Sequence, residues 1–455
     1  MTSTLLDPHP REQITRKALI VWLVAVLVYA VAITGRTSFG VASVDAIDRF
    51  DVDASRIAVF TTVQIGVYAF AQIPVGILID RFGPRRLLVI GAVIMALGQV
   101  VLGFTESYWV AIGARVLIGG GDATAFLAVM RILPYWFPLK KTPLFTQMTA
   151  AIGQSGQFLS AVPFLAMLHW AGWTPAFLSL GALGLIVALA ASVAIADSPE
   201  SWAASQSDED HDPAEDTKDK QQDSIPIATL LRTVAKEPLC WQGFFNHYSS
   251  MLPQIVFTLL WGVPLMTLGM GLSPSTVGVV LTINVISSIV AGPILGPISA
   301  RLGTNRVVAA IVFAGSIGTA WIIFFLPAEP RGVTAIIVVN IIMALFTPTS
   351  NFGFDDIRVG LDRRIVATAT GMANMGGFFA GMFAAQAVGI LLDYSSQGRD
   401  YEWADFRLAW WAVTITWAIG MIGLTSSRII VARNRAKALA AGGGRQVRIV
   451  DSSED

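Results

Sequence analysis

The chain has 455 residues, 54% hydrophobic and 14% charged, against about 25% charged in a soluble domain. Mean hydropathy is +0.63 and the formal net charge is zero, so overall charge gives no case for nucleic-acid binding. A single cysteine, Cys240, excludes an intrachain disulfide and a cysteine-rich metal cluster, and four histidines at 9, 169, 211 and 247 lack metal-ligand spacing.

Taken in order, a polar segment (1–17) with Arg11, Arg16 and Lys17 precedes a first apolar run, about Ala18–Gly40. That run lacks an Ala-x-Ala exit and continues past Arg36, so it reads as a retained span rather than a cleaved signal. An acidic loop with Asp45, Asp48, Asp51 and Asp53 follows, then spans near Arg56–Ile79, Leu87–Phe104, Tyr108–Leu133, Leu144–Leu168 and Gly172–Ala196. Each is long enough to cross about 30 Å of hydrocarbon as a helix. Residues 197–240 break the pattern: Ser201–Ser224 is rich in Ser, Asp, Glu, Lys and Gln, with the cluster Asp208–Glu209–Asp210. This composition predicts a flexible linker, closing on a short interfacial helix with Arg232 and Lys236. Six more spans fall near Trp241–Gly269, Ser275–Ser299, Val307–Leu326, Val333–Phe354, Ile365–Leu392 and Phe406–Thr425, before a basic tail (428–455).

The loops after spans 2, 4, 8 and 10 carry Arg81/Arg85/Arg86, Lys140/Lys141, Arg301/Arg306 and Arg358/Arg363/Arg364, whereas the others are sparse or acidic. The positive-inside bias therefore predicts twelve spans with both termini and the linker cytoplasmic, in a cell membrane. The expected organisation is an all-α polytopic membrane protein, with bundles at 18–196 and 241–427.

The stretch Gly76–Arg86, GILIDRFGPRR, joins spans 2 and 3. Gly76 permits close helix approach and Gly83 supplies backbone freedom for the turn. The pattern resembles the loop between helices 2 and 3 of the major facilitator superfamily, G-x-L-x-D-R-x-G-R-R, with Pro84 before the arginine pair as the departure. It recurs 220 residues later in GPISARLGTNR, where Gly296, Arg301, Gly303 and Arg306 repeat and Asp80 is replaced by Ala300. RVLIGGGDA from Arg115 resembles the superfamily's span 4 motif R-x-x-x-G-x-G, and Thr368–Asp393 resembles its span 11. The resemblance implies two pseudo-symmetric six-helix bundles with a substrate site near the midplane between them. Span 5 has Gly153 and Gly156 but lacks the Gly-Pro pair of drug/proton antiporters, which tilts the reading away from drug efflux.

Charged groups within spans single out the chemistry, because burying them costs several kcal/mol unless they are paired or face water. Arg36 lies in the outer half of span 1, and its fork suits a carboxylate or phosphate. The alternatives are that it snorkels to headgroups or pairs with Asp122. Tyr29 through GRTSFGVAS resembles span 1 of the sugar-phosphate and organic-anion branches, where an arginine binds the anion. Those exchangers carry a second arginine in span 7; here His247 stands in that span, which leaves carboxylates open. Asp122, two turns beyond Arg115, reads either as a proton carrier or as half of a permanent pair, and Arg115 as a coupling or a helix-holding residue. His247 is either a titrating group or a hydrogen-bonded packing residue. Gln64, Tyr68 and Gln72 make a polar stripe on span 2, with Asn284 the repeat-related partner of Gln64; Gln254, Asn340, Asn351, Asn374 and Gln386 are further polar points.

The sequence-level site is therefore Arg36, Tyr29, Gln64, Tyr68, His247, Gln254, Asn284 and Asn374 for substrate, and Asp122 with Arg115 for proton coupling. Asp80, Arg81, Arg85, Arg86, Arg301, Asp355 and Asp356 form a conformational latch. The expected function is alternating-access transport of a small organic anion, a carboxylate or phosphorylated metabolite, coupled to protons. Its partners are that anion, protons and the bilayer, a monomer suffices, and no enzyme activity or cofactor is expected. The rivals are an exporter of amphipathic compounds or lipids and a non-transporting sensor.

Overall fold

The computed structural model describes residues 13–52, 54–204 and 226–440. The N-terminal segment to residue 12, Asp53, the cluster Asp208–Glu209–Asp210 and the tail beyond Ala440 lie outside the described residues. Among the described residues every regular element is helical.

Eleven helical stretches among the described residues are long and apolar enough to cross a membrane; one of them, Ser275–Phe325, runs for 51 residues. It contains two crossings, because Gly303 at φ +52° sits in a 3-10 turn that reverses the chain. Twelve candidate crossings result among the described residues.

The first unit carries α1 (Arg16–Val41), α2 (Ser43–Phe50), α3 (Ala54–Phe82), α4 (Pro84–Phe104) and α5 (Tyr108–Trp136). It continues with α6 (Thr142–Leu159) and α7 (Leu165–Ala171), one crossing interrupted by a π turn at Ser160–Phe164, then α8 (Trp173–Ala194) and α9 (Pro199–Ala204). The short segment Arg364–Thr368 packs with this unit. Local chemistry sets the ends. Thr15 accepts the Ala18 N–H at 3.1 Å to cap α1, and Gly83 at φ +84° precedes Pro84, which opens α4.

The second unit begins at Leu231, within α10 (Ile227–Lys236), and continues with α11 (Pro238–Val256). Two π turns, Phe257–Trp261 and Leu265–Gly269, carry that crossing onward around Gly262–Pro264. Then come α12 (Pro274–Leu302), α13 (Arg306–Phe325), α14 (Val333–Phe346), α15 (Phe352–Gly360), α16 (Val366–Ser396) and α17 (Trp403–Ala440). A 3-10 stretch, Thr347–Asn351, separates α14 from α15. Glu237 caps α11 by accepting the Leu239 N–H at 3.1 Å, and Cys240 lies fully buried on that helix.

Small residues carry the helix contacts. A Cβ on Gly91 would stand 2.8 Å from the Gly121 carbonyl oxygen, and one on Gly121 would stand 2.6 Å from Met95 Cγ. Helices α4 and α5 can therefore approach at backbone distance. The core of the second unit is aromatic: Trp321, Phe324, Phe325, Trp403 and Trp410 pack together, with the Trp321 and Trp410 rings 4.5 Å apart.

Candidate functional site

In the first unit α1 and α5 bring two opposite charges together. Arg36 Nε donates to Asp122 Oδ2 at 2.6 Å and its Nη2 to Oδ1 at 2.9 Å, a two-point fork. Asp122 is completely buried, whereas the arginine side chain keeps 17% of its surface open. The guanidinium also lies over the Tyr68 ring, 4.4 Å from its centroid. Tyr29, buried nearby, stands within electrostatic range of Arg36, Asp122 and Tyr68. Thr37 meets Ser160 of the π turn at 2.7 Å, oxygen to oxygen.

Arg115, two turns before Asp122 on α5, is buried too. Its Nη2 donates to the Arg36 carbonyl at 3.2 Å, and its guanidinium lies 4.9 Å from the Phe39 ring centroid. Nε and Nη1 find no hydrogen-bond partner among the described residues, and the same holds for Gln64 Nε2 on α3. The two arginines and one aspartate leave this buried cluster one positive charge in excess.

The polar points of the second unit form a different arrangement. Gln254 donates to Asn284 at 2.8 Å, and Asn284 donates to Asn340 at 3.0 Å, linking α11, α12 and α14 through neutral amides. His247 lies one side of this chain, buried between Phe354 and Phe378. Its Nδ1 accepts the Gly377 N–H of α16 at 3.2 Å, so the ring proton sits on Nε2. Asn374 is buried on the same helix, α16.

The latch residues divide into three groups. Asp80 ion-pairs with Arg131 at 3.2 Å and accepts from the Ala367 and Thr368 N–H groups and the Thr368 hydroxyl at 2.7–3.1 Å. Ala367 and Thr368 lie in the segment Arg364–Thr368 that packs with the first unit, and a carboxylate there satisfies first-turn N–H donors that have no partner within a helix. Arg85 is held through its backbone N–H by Asp197 at 2.9 Å and through its side chain by the Ser192 carbonyl at 2.5 Å. In the second unit Asp355 pairs with Arg358 at 2.9 Å and accepts from Ser299 at 2.6 Å, while Asp356 pairs with Arg306 at 3.1 Å and accepts from Gln242 at 3.2 Å. Arg81, Arg86 and Arg301 are exposed.

Sequence reasoning missed Asp197, Ser299 and Gln242 as partners and gave Arg131 no pairing, whereas pairing of Asp355 and Asp356 with loop arginines was expected and is found with Arg358 and Arg306. Asp197 sits just beyond an apolar run, where an acid looks like ordinary loop polarity. Ser299 and Gln242 are neutral, so hydropathy passes over them.

A family model described as Major Facilitator Superfamily matches residues 25–385. A protein described as a probable sulfoacetate transporter of Cupriavidus necator is 23% identical over 384 residues, covering 81% of this chain and 85% of its own. A probable L-galactonate transporter of Escherichia coli is 27% identical over 175 residues, 38% of each chain. A probable galactarate/D-glucarate transporter of the same bacterium is 25% identical over 178 residues, 37% of this chain and 39% of its own. Among solved structures, a proton:xylose symporter superposes with a TM-score of 0.63, covering 91% of this chain and 96% of that one at 13% identity. That last likeness concerns the fold.

Proposed function

Because the chain belongs to the Major Facilitator Superfamily, a family of membrane transporters, we propose that it moves a small organic anion together with protons, with Arg36 as the anion-binding group and Asp122 as the proton carrier. The observation that carries this reading is the buried two-point pair between them. With Asp122 ionised, the guanidinium fork is fully engaged. A proton on Asp122 neutralises the acid and frees the fork, and a carboxylate of the solute takes the vacated place. One anion has replaced another, so the buried charge is unchanged, and neither ligand enters cheaply without its partner. Arg115 supplies the excess positive charge and its two unpartnered N–H groups, which favours a solute with more than one anionic or accepting group. Relatives described as carriers of sulfoacetate, L-galactonate and galactarate support an anionic solute.

The working frame is two bundles, 18–196 and 241–427, a charged linker at 197–240 and both terminal segments, 1–17 and 428–455, on the cytoplasmic side of the cell membrane. Asp80, Arg85, Asp355 and Asp356 serve as latches between conformations, and the amides Gln254, Asn284 and Asn374 with His247 supply neutral donors and acceptors to the solute.

The test is uptake into vesicles under an imposed pH gradient, with carboxylates, phosphorylated solutes, neutral solutes and cations compared. Arg36→Ala abolishes anion uptake. Asp122→Asn mimics the protonated acid, so it loses accumulation driven by the gradient while exchange of anion for anion persists. If both variants keep gradient-driven uptake, the coupling scheme is wrong; export of amphiphiles indifferent to Arg36 transfers the assignment to an exporter.

A further inference from the structure

Helices α11 and α17 pack antiparallel: Gly423 meets Phe245 and Gly420 meets Tyr248. This register puts Pro238, the first residue of α11, level with residue 430 of α17. The remaining residues to Ala440 therefore rise about 15 Å beyond the start of that crossing. Along this extension Arg433 and Lys437 are exposed one turn apart, with Ile429 and Ile430 exposed just before them and no acidic residue between.

At the same end of the crossing, α10 is fastened to α11 by Trp241, whose Nε1 donates to the Ala235 carbonyl at 2.8 Å. Helix α10 is amphipathic. Leu230 and Val234 are buried, Ile227 and Leu231 stay exposed on the adjoining face, and Arg232 and Lys236 point the opposite way. Trp241 itself is 39% exposed, as an indole at a membrane–water boundary is. Two helices thus present exposed apolar residues and exposed basic residues at the same end of the crossing.

We propose that this collar, Arg232, Lys236, Arg433 and Lys437 with the exposed Ile227, Leu231 and Trp241, is a binding surface for anionic phospholipid. The cations meet the headgroup phosphates, and the isoleucine, leucine and indole rest against the acyl chains. Basic residues beside a crossing helix attract an anionic leaflet, and an amphipathic helix adds buried apolar area to that attraction. The site is separate from the Arg36–Asp122 pair and does not depend on the transported solute. Arg435 is left out of the collar because it lies within electrostatic range of Asp356.

Thermal unfolding of the full-length protein in detergent tests this, with phosphatidylglycerol, phosphatidylcholine or inorganic phosphate added. Phosphatidylglycerol raises the midpoint by about 2–4 °C at concentrations well above its dissociation constant, and the other two do not. The fourfold variant Arg232→Gln, Lys236→Gln, Arg433→Gln, Lys437→Gln loses that shift, while Arg232→Lys with Arg433→Lys retains it. Native mass spectrometry of the same samples counts bound phosphatidylglycerol, which falls in the glutamine variant. Equal shifts from both lipids, a shift from inorganic phosphate alone, or a glutamine variant that keeps both shift and adducts overturns the proposal.

Discussion

At the scale of single residues, a buried charge is tolerated only through its partner, and this decides what substitutions do. Removing one member of a buried ion pair strands the other, at a cost of about 3–5 kcal/mol. Arg36→Ala should therefore destabilise the protein by about that much, and the double variant Arg36→Ala, Asp122→Ala should recover part of it; a double-mutant cycle on thermal unfolding measures the coupling. His247 is a case where the sequence left two readings open. A second ring proton would sit on Nδ1 and face the Gly377 N–H that Nδ1 now accepts, so this histidine is held as a neutral donor through Nε2. His247→Asn places an amide oxygen near the same N–H, and proton-driven uptake should persist in that variant with a changed KM. The pairing of Arg36 with Asp122 was one of the alternatives legible from the sequence, because both are charged groups within spans. The acceptor of Gly377 was not, since a histidine's tautomer depends on a helix 130 residues away.

At the scale of elements, apolar run length placed the crossings, and Gly, Pro and basic clusters placed most of their ends to within a few residues. The exceptions are the tenth, which runs to Gly360 rather than Phe354, and the twelfth, whose helix continues through the basic stretch to Ala440 rather than stopping near Thr425. The interruptions escaped. A π turn adds one residue to a helical turn without altering composition, so hydropathy sees Thr142–Ala171 and Pro238–Gly269 as plain spans. Pro163 lies inside one π turn and Pro264 between the other two, each a missing N–H donor in mid-helix. The glycine contacts were readable as small-residue patterns, although their partners were not. Gly121→Val would drive a branched side chain into the backbone of α4 beside Gly91. The loss should be at least 1–3 kcal/mol, read as a lowered unfolding midpoint, whereas Gly120→Ala, with open space around its Cβ position, should leave it nearly unchanged.

At the scale of the whole molecule, the sequence repeat proves to conceal an exchange of roles. Arg86 and Arg306 occupy equivalent places in the two loops, yet Arg86 is exposed and Arg306 is buried against Asp356 and Ser299. Conversely Asp80, paired with Arg131 in the first half, corresponds to Ala300, and Arg131 to Asn351. Each half thus keeps a buried charge pair near its loop but builds it from different positions. Arg306→Ala should cost about 3–5 kcal/mol, and Arg86→Ala should stay within about 0.5 kcal/mol; parallel unfolding curves of the two variants compare them directly. The repeat was visible because it preserves residue types, while burial follows from what each loop packs against.

The enclosure of Cys240 has a practical consequence. Its thiol is out of reach of maleimide and nitroxide reagents, so the native sequence serves as a nearly silent background for labelling. A cysteine placed on each unit would carry a spin label or dye without first replacing any residue. Distances between such labels, followed with and without solute, would then track the transport cycle in a protein otherwise unaltered.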